Sequence, residues 1–201
     1  CLLSPSIIDA RAKAAHLDDL NKERRVIENE MKTQAQANLK LQHNLTPAGN
    51  KTGVCLYDDD WHQGVIGIVA SRIKDQLHRP VIAFAPSGDN EMKGSARSIR
   101  GLHIRDALAA IDAKNPGLIQ KFGGHAMAAG LTIEAEHFEQ FARLFDEQAS
   151  SSLSTEDLEQ VLVSDGELND KVTLSLVREV LQAVPWGQGF PEPLFDGEFE
   201  I

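Results

Sequence analysis

Cysteine, aromatic residues and long apolar runs are all scarce in this sequence of 201 residues. The two cysteines, Cys1 and Cys55, stand in neither a CxxC pair nor a Cys/His spacing, which argues against a disulfide scaffold and a zinc motif. No apolar run approaches the roughly 20 residues that cross a bilayer, and no signal-peptide pattern is present. We therefore predict a globular protein of the reducing cytoplasm that has no membrane partner.

Familiar catalytic motifs are also missing. The sequence contains no P-loop, HExxH zinc motif, nucleophile elbow or dinucleotide fingerprint. The chain begins with Cys1 rather than Met, and its last residues, Phe199 to Ile201, fall within a strand-like pattern. We therefore expect a piece of a longer protein.

Charge is distributed unevenly along the chain. The net charge of −10 argues against a general coat for nucleic acid. Residues 71–105 nevertheless carry seven Arg or Lys against three acids, whereas residues 134–201 carry sixteen acids against three basic residues. A basic middle inside an acidic chain indicates one focused anion site.

Hydrophobic periodicity predicts an α/β fold. Residues 6–44 contain neither Gly nor Pro, and their apolar positions recur at helical steps, which predicts one long helix. This helix is either an ordinary amphipathic or coiled-coil helix or a rigid connector between domains. Strands and helices then alternate, which is typical of a mostly buried sheet covered by helices. The predicted elements are strand 53–57, helix 65–77, strand 80–85, strand 92–98, helix 104–111, a short helix after residue 125, strand 131–133 and helix 136–148.

A second domain is predicted after a serine-rich linker. The linker covers residues 150–155, and beyond it we predict strand 160–164, helix 172–184 and an interrupted strand over 194–201. Proline-rich sequence stiffens the intervening loop.

The segment GGHAMAAGLTI, residues 123–133, places two glycines before a histidine. Glycine lets a ligand approach the backbone, and a helix that begins near His125 would direct free N–H groups at one point. Gly123 and Gly124 would then make room for a phosphate, and His125 would supply a donor or a proton. Plain loop geometry with a structural histidine explains the same residues.

The segment KGSARSIR, residues 93–100, is the second candidate. Alternation along a strand puts Lys93, Ser95 and Arg97 on one face, with Arg100 just beyond. A guanidinium fork beside a hydroxyl suits a terminal phosphate. A solvated basic edge strand is an equally good explanation of the sequence.

A third cluster, DDDWHQG over residues 58–64, has the composition of a divalent-metal site. Adjacent acids at a strand end more commonly solvate a loop and complement the next helix dipole, and we favour that interpretation. His62 is expected to face the same cleft as the glycine pair. We assign no metal ligand to this chain.

Five segments of the sequence carry a family resemblance: WHQGVIGIVASRI (61–73), RPVIAFAP (79–86), KGSARSIRGLHIRDAL (93–108), KFGGHAMAAGL (121–131) and PWGQGFPEPLFDGEF (185–199). In this order they resemble the RecJ family, the single-strand-specific 5′-to-3′ DNA exonucleases of bacteria. The Gly-Gly-His stretch is the hallmark of the DHH-associated domain in the DHH phosphoesterase superfamily.

This resemblance implies three regions. Residues 1–48 would form the end of the catalytic domain and its connecting helix, and residues 49–150 a mixed-sheet α/β DHH-associated domain that binds substrate. Residues 155–201 would begin a truncated oligonucleotide-binding (OB) domain. The family's Mn²⁺ or Mg²⁺ would be bound by a catalytic domain N-terminal to this chain, so the chain by itself is expected to be inactive.

The resemblance also implies roles for individual residues. Ser95 and Arg97 would bind the 5′-terminal phosphate of single-stranded DNA, and Gly123, Gly124 and His125 would approach the scissile phosphate. His125 would assist catalysis from across the cleft. The acidic C-terminal part has few aromatic residues. Either the remaining strands of the OB domain carry its basic face, or this part contacts a repair protein.

Two other functions stay open. One is a different phosphodiesterase of the DHH superfamily, acting on short or cyclic oligonucleotides, although segment 185–199 argues against it. The other is a non-catalytic module that binds RNA or tRNA.

Overall fold

The computed structural model describes residues 3–45, 51–88, 90–167, 173–187 and 190–197, with side chains not described at 36–45 and 183. The chain divides into two compact units, Cys1–Glu159 and Gln160–Ile201. No helix among these residues is long and apolar enough to cross a membrane. The first unit contains helix α1 (Ile7–Leu45), strand β1 (Val54–Tyr57), α2 (Ile66–Leu77), β2 (Val81–Pro86), β3 (Glu91–Arg97), α3 (Ile104–Lys114), β4 (Lys121–Gly124), β5 (Ala128–Glu134) and α4 (Phe138–Ser152).

A mixed five-stranded sheet in the order β1-β2-β3-β5-β4 forms the centre of the first unit. Strands β1 and β2 are parallel, joined by the crossover helix α2, and every other pair is antiparallel. The prediction of an α/β fold with a mixed sheet and a long N-terminal helix is confirmed.

Helices cover the two faces of this sheet unequally. One face is buried by α3 and α4, in a core that includes Phe84, Leu131, Phe141 and Phe145. On the other face, α2 packs its buried residues, such as Ile73, against the small and branched side chains of β1 and β2. The half formed by β3, β5 and β4 on this second face is richer in charged and glycine residues than in apolar ones.

Helix α1 contacts the rest of its unit near its middle. Met31 and Ala35 are buried with Trp61, whose indole N–H donates to the Gln34 side-chain oxygen at 3.1 Å. Arg72 on α2 pairs with Glu28 at 3.4 Å. The predicted apolar stripe is largely uncovered further upstream, where Leu17 and its neighbours are exposed.

Two predictions in the first unit are wrong. Residues 125–127 form a turn, not a short helix, because the small residues from Ala128 onward extend the predicted strand back to pair with β4. The serine-rich segment 150–155 is not wholly a linker, since α4 continues to Ser152 and buries Ala149 and Leu153.

The second unit has little regular structure among its described residues. Helix α5 (Leu174–Ala183) lies within the predicted helix, and Thr173 caps its N-terminus by accepting from the Leu176 N–H at 3.2 Å. The predicted strand 160–164 is wrong: no strand forms there, and its apolar side chains are exposed. In the described part of this unit, only single bridges pair extended segments, Glu167 with Asp196 and Gly187 with Phe190. Residues 198–201 of the predicted last strand lie outside the described part of the chain.

Candidate phosphate-binding site

An open patch on the second face of the sheet gathers four of the eight candidate residues. We call it the basic shelf and define it as Lys93, Ser95 and Arg97 of β3, Gly130 and Thr132 of β5, and Lys121 and Gly123 of β4. Their chain neighbours Met92, Ala96, Leu131 and Ile133 lie in the core beneath α3 and α4, and Phe122 packs against it. Because side chains alternate along a strand, the shelf residues point to the opposite face.

Strand register arranges the shelf in rows. Ser95 lies opposite Gly130, and Gly130 lies opposite Gly123. The next row, two residues along, consists of Lys93 opposite Thr132 and Thr132 opposite Lys121. The first row is therefore a hydroxyl followed by two bare backbone positions, and the second row has a lysine at each end.

Arg97 and Ser95 act as one pair. The Arg97 Nη1 donates to Ser95 Oγ at 3.0 Å and to the carbonyl oxygen of Ala96 at 2.9 Å. Partial burial lowers the pKa of the Arg97 guanidinium from its ordinary value, since burial disfavours the charged form. None of the ion pairs among the described residues involves Arg97, so its charge has no carboxylate partner there. A partly desolvated guanidinium fixed beside a hydroxyl is well suited to an incoming oxyanion.

The first turn of α2 borders this pair. A Cβ on Gly67 would lie 2.8 Å from Arg97 Nη2 and 3.1 Å from Ser95 Oγ, so any larger residue there would displace the pair. Gln63, just before the helix, accepts from the Lys93 ammonium at 3.0 Å. The helix begins without a side-chain cap at Val65 and without an acid in its first turn. Its N-terminal amides therefore add positive potential beside Arg97.

The two glycines of the Gly-Gly-His stretch are not equivalent. Gly124 has φ +146°, and a Cβ there would lie 2.5 Å from the Ala128 carbonyl oxygen. Gly123 has no positive φ, and a Cβ there would meet nothing within 4 Å. Gly124 is therefore required by the hairpin, whereas Gly123 leaves open space above the shelf.

His125 lies in the β4–β5 turn and is exposed. The expectation that it starts a helix is wrong, because its N–H donates to the Ala128 carbonyl at 2.8 Å and closes a hairpin. The turn is held against the segment after β3. The Met127 carbonyl accepts from the Ser98 N–H at 3.0 Å, and the Ala126 carbonyl accepts from the Ile104 N–H at 2.9 Å. His125 is thus kept at the Arg97 end of the shelf.

Two further candidates lie at the margins of the shelf. His62 is exposed in the loop before α2, where its Nδ1 accepts from the Gly64 N–H at 3.1 Å. Arg100 is exposed in the turn after β3, and no hydrogen bond or ion pair of the described residues joins it to Ser95 or Arg97. The structure therefore places Lys93, Ser95 and Arg97 on one face of β3, with Ser95 and Arg97 in contact. Among the described residues, neither His62 nor Arg100 is hydrogen-bonded to any of the three.

The acids of segment 58–64 make local contacts. Asp58 Oδ1 accepts from the Asp60 N–H at 3.1 Å, and the Tyr57 hydroxyl donates to Asp59. These are the loop-closing bonds expected of acids at a strand end.

The shelf does not fit a divalent metal. Mg²⁺ and Mn²⁺ prefer clustered carboxylate oxygens, whereas the shelf offers ammonium groups, a guanidinium, hydroxyls and glycines. Within the described part of the chain, one group of possible ligands has atoms within 4.8 Å of one another: Glu134, Glu136 and His137, with Glu136 exposed and the other two part-buried. Glu134 already accepts from the Gln120 side chain at 3.3 Å. We derive no metal chemistry from either place.

Sequence reasoning missed several residues of the shelf. The sequence does not indicate Gly130, Thr132 and Lys121, because it does not predict the hairpin that brings β4 and β5 beside β3. Alternation from Phe122 and Leu131 would have found them. Gly67 and Gln63 carry no sequence signal of their own, since their importance comes from the docking of α2 on β3.

Fold and site together define a class: a mixed α/β domain whose sheet leaves a basic, glycine-lined patch uncovered. The family model of the DHHA1 domain matches residues 50–151, half of the chain. The chain belongs to the DHHA1 domain family.

Relatives narrow this assignment. The single-stranded-DNA-specific exonuclease RecJ of Haemophilus influenzae is 51% identical over 203 residues, covering 100% of this chain and 35% of the relative. RecJ of Escherichia coli is 47% identical over 204 residues with the same coverage. The chain therefore spans about a third of the length of the curated relatives it matches. The crystal structure of RecJ in complex with Mg²⁺ from Thermus thermophilus is 29% identical with a TM-score of 0.77, covering 96% of this chain and 28% of that one.

Proposed function

We propose that this chain is the substrate-binding part of a single-stranded-DNA-specific exonuclease that degrades DNA in the 5′-to-3′ direction during recombination and repair. The basic shelf binds the 5′-terminal phosphate through Arg97 and Ser95. The relatives are named for single-stranded DNA and exonuclease activity, which supports the substrate class. The observation that carries the 5′-phosphate assignment is the Ser95–Arg97 pair itself.

The geometry of that pair supports a terminal phosphate. The guanidinium is held by two oxygens of the protein, so it is oriented before the ligand arrives. The first turn of α2 adds uncapped amides on one side, and Gly130 and Gly123 leave the other side open. A terminal phosphate carries more negative charge than an internal one. It therefore gains most from a site with two sources of positive potential.

The remaining residues receive roles from their positions. Gly123 admits the sugar–phosphate backbone close to the strand, and His125, at the Arg97 end, assists the reaction as a proton donor or acceptor. Lys93 adds charge from the adjacent row, while His62 and Arg100 contribute from the margins. The relatives' structures with Mg²⁺ or Mn²⁺ support a metal-dependent reaction, and we assign those ions to a part of the longer protein outside this chain.

The second unit has a separate role in this proposal. We assign residues 155–201, a range that contains this unit and the last five residues of the first, to the start of an OB-type domain, in keeping with the resemblance of segment 185–199. Its Trp186 and Phe190 rings stack with centroids 5.0 Å apart, and Trp186 donates to the Val180 carbonyl at 3.0 Å. Its acidic character favours a protein partner, such as another repair protein, over direct contact with DNA.

The test uses the full-length protein that contains this chain. Degradation of single-stranded DNA with a 5′-phosphate or a 5′-hydroxyl is compared for wild type, Arg97→Ala and the control Arg143→Ala, which removes an arginine from α4, away from the shelf. We expect only Arg97→Ala to lose the preference for the phosphorylated end, by about tenfold or more, because one charge-assisted contact is lost. A wild type that ignores single-stranded DNA overturns the proposal, and short or cyclic dinucleotides then become the substrates to test.

A further inference from the structure

We propose that Lys121 and Lys93, on either side of Thr132, bind a second phosphate next to the one held by Arg97 and Ser95. This inference rests on the proposed function and adds a subsite to it. It assigns Lys121, on the edge strand, a direct contact with nucleic acid. The shelf would then hold two consecutive phosphates of one strand.

The position of Lys121 follows from its neighbours. Phe122 packs against the core on the far face, so Lys121 and Gly123 project onto the shelf. Lys121 is exposed and lies directly opposite Thr132, which in turn lies opposite Lys93. The backbones of the two lysines are two inter-strand spacings apart, a distance of about 10 Å. Two lysine side chains are long enough to meet above Thr132, which lies between them.

The separation between rows suits adjacent phosphates. The Lys93 row is two residues along β3 from Ser95, which is about 7 Å on a strand. This resembles the distance between successive phosphates of an extended nucleic-acid strand. The path between the rows is open at two positions, because Gly123 and Gly130 carry no side chains and a Cβ at Gly123 would meet no atom within 4 Å.

Charge on the shelf sets the number of phosphates. Neither lysine takes part in an ion pair among the described residues, and Lys93 donates there to the uncharged side chain of Gln63. The row beyond them is Glu91 directly opposite Glu134. Two opposed carboxylates repel a phosphate, so the basic surface ends after two rows.

The two subsites can be distinguished by comparing the binding of thymidine 5′-monophosphate with that of the 5′-phosphorylated dinucleotide pTpT. The first offers one phosphate and the second offers two. Binding of each to the full-length protein, without added metal so that the ligands stay intact, is measured by calorimetry for wild type, Lys121→Gln and Lys114→Gln. The control removes an exposed lysine from α3, which lies on the opposite face of the sheet.

We expect Lys121→Gln to weaken pTpT binding about fivefold, as for one exposed charge pair, and to leave the monophosphate unchanged. Lys121→Arg should retain pTpT binding. The subsite is refuted if both ligands weaken equally, or if Lys121→Gln and Lys114→Gln behave alike. If the wild type binds pTpT no better than TpT, which keeps the internal phosphate but lacks the 5′-phosphate, the proposed 5′-phosphate site itself fails.

Discussion

Gly67 leaves no room for a side chain beside Arg97: a Cβ on Gly67 would lie 2.8 Å from Arg97 Nη2. Helix α2 can therefore pack against β3 at the point where the guanidinium meets Ser95. The helix supports the proposed phosphate site sterically and electrostatically at the same residue.

Gly67→Ala should weaken recognition of the 5′-phosphate without lowering the stability of the fold. Alanine is favoured over glycine inside a helix by about 1 kcal/mol, and the atoms it would meet are ends of side chains that can move. We expect the free energy of unfolding in urea to be unchanged or slightly raised, while the preference for 5′-phosphorylated DNA falls because Arg97 is displaced.

A double-mutant cycle with Arg97→Ala tests this cause. If Gly67→Ala acts through Arg97, it should cause no further loss of selectivity in the double variant. Fully additive losses would show that alanine at this position harms binding by another route.

Gly124→Ala and Gly123→Ala form a matched pair one residue apart. We expect Gly124→Ala to lower the free energy of unfolding by about 2 kcal/mol, because φ +146° and the Ala128 carbonyl both oppose a side chain. Gly123→Ala should leave thermal stability nearly unchanged and weaken binding of pTpT, because its methyl group stands on the shelf. Equal stability losses in the two variants would contradict the assigned geometry.

His125→Ala should slow turnover more than it weakens binding. Among the described residues no hydrogen bond engages the His125 ring, so its removal leaves the hairpin bonds of the backbone in place. We expect single-turnover cleavage by the full-length protein to fall about a hundredfold, the usual scale for a lost general acid or base, with DNA affinity little changed. Wild-type turnover in this variant, as in the control His16→Ala, would leave His125 with no part in the reaction.

Tyr57 offers a pH-dependent signal that needs no DNA. Its hydrogen bond to Asp59, aided by partial burial, raises the pKa of Tyr57 to about 12. It is the only tyrosine of the chain, so ultraviolet titration of the native chain reports it directly. Folding favours the neutral phenol, so its contribution to stability is complete below the ordinary pKa of about 10 and is lost as the pH rises towards 12. Asp59→Asn should move the titration midpoint down, and an unchanged midpoint would remove Asp59 as the cause.

Much of the first unit could be predicted because its strands and helices have clear periodicity. The alternation of Met92, Gly94 and Ala96 with Lys93, Ser95 and Arg97 is visible in the sequence, and the structure places the two sets on opposite faces. The strand after His125 is harder to predict from the sequence. Its alanines and glycine have no strong strand preference, and pairing with β3 and β4 makes them a strand.

The second unit could not be predicted at the same level. The apolar run Val161 to Val163 resembles a buried strand, but its side chains are exposed in the described chain. A strand of this kind needs partners that local sequence does not identify. The position of Gly67 beside Arg97 could not be predicted from the sequence either, since it depends on which strand helix α2 packs against.

The hydrogen bond between Trp61 and Gln34 anchors the long helix to the loop before α2. Trp61 is buried against Met31 and Ala35, and it stands two residues before Gln63, which holds the Lys93 ammonium. The part of α1 around Gln34 and the lysine end of the basic shelf therefore contact the same short loop.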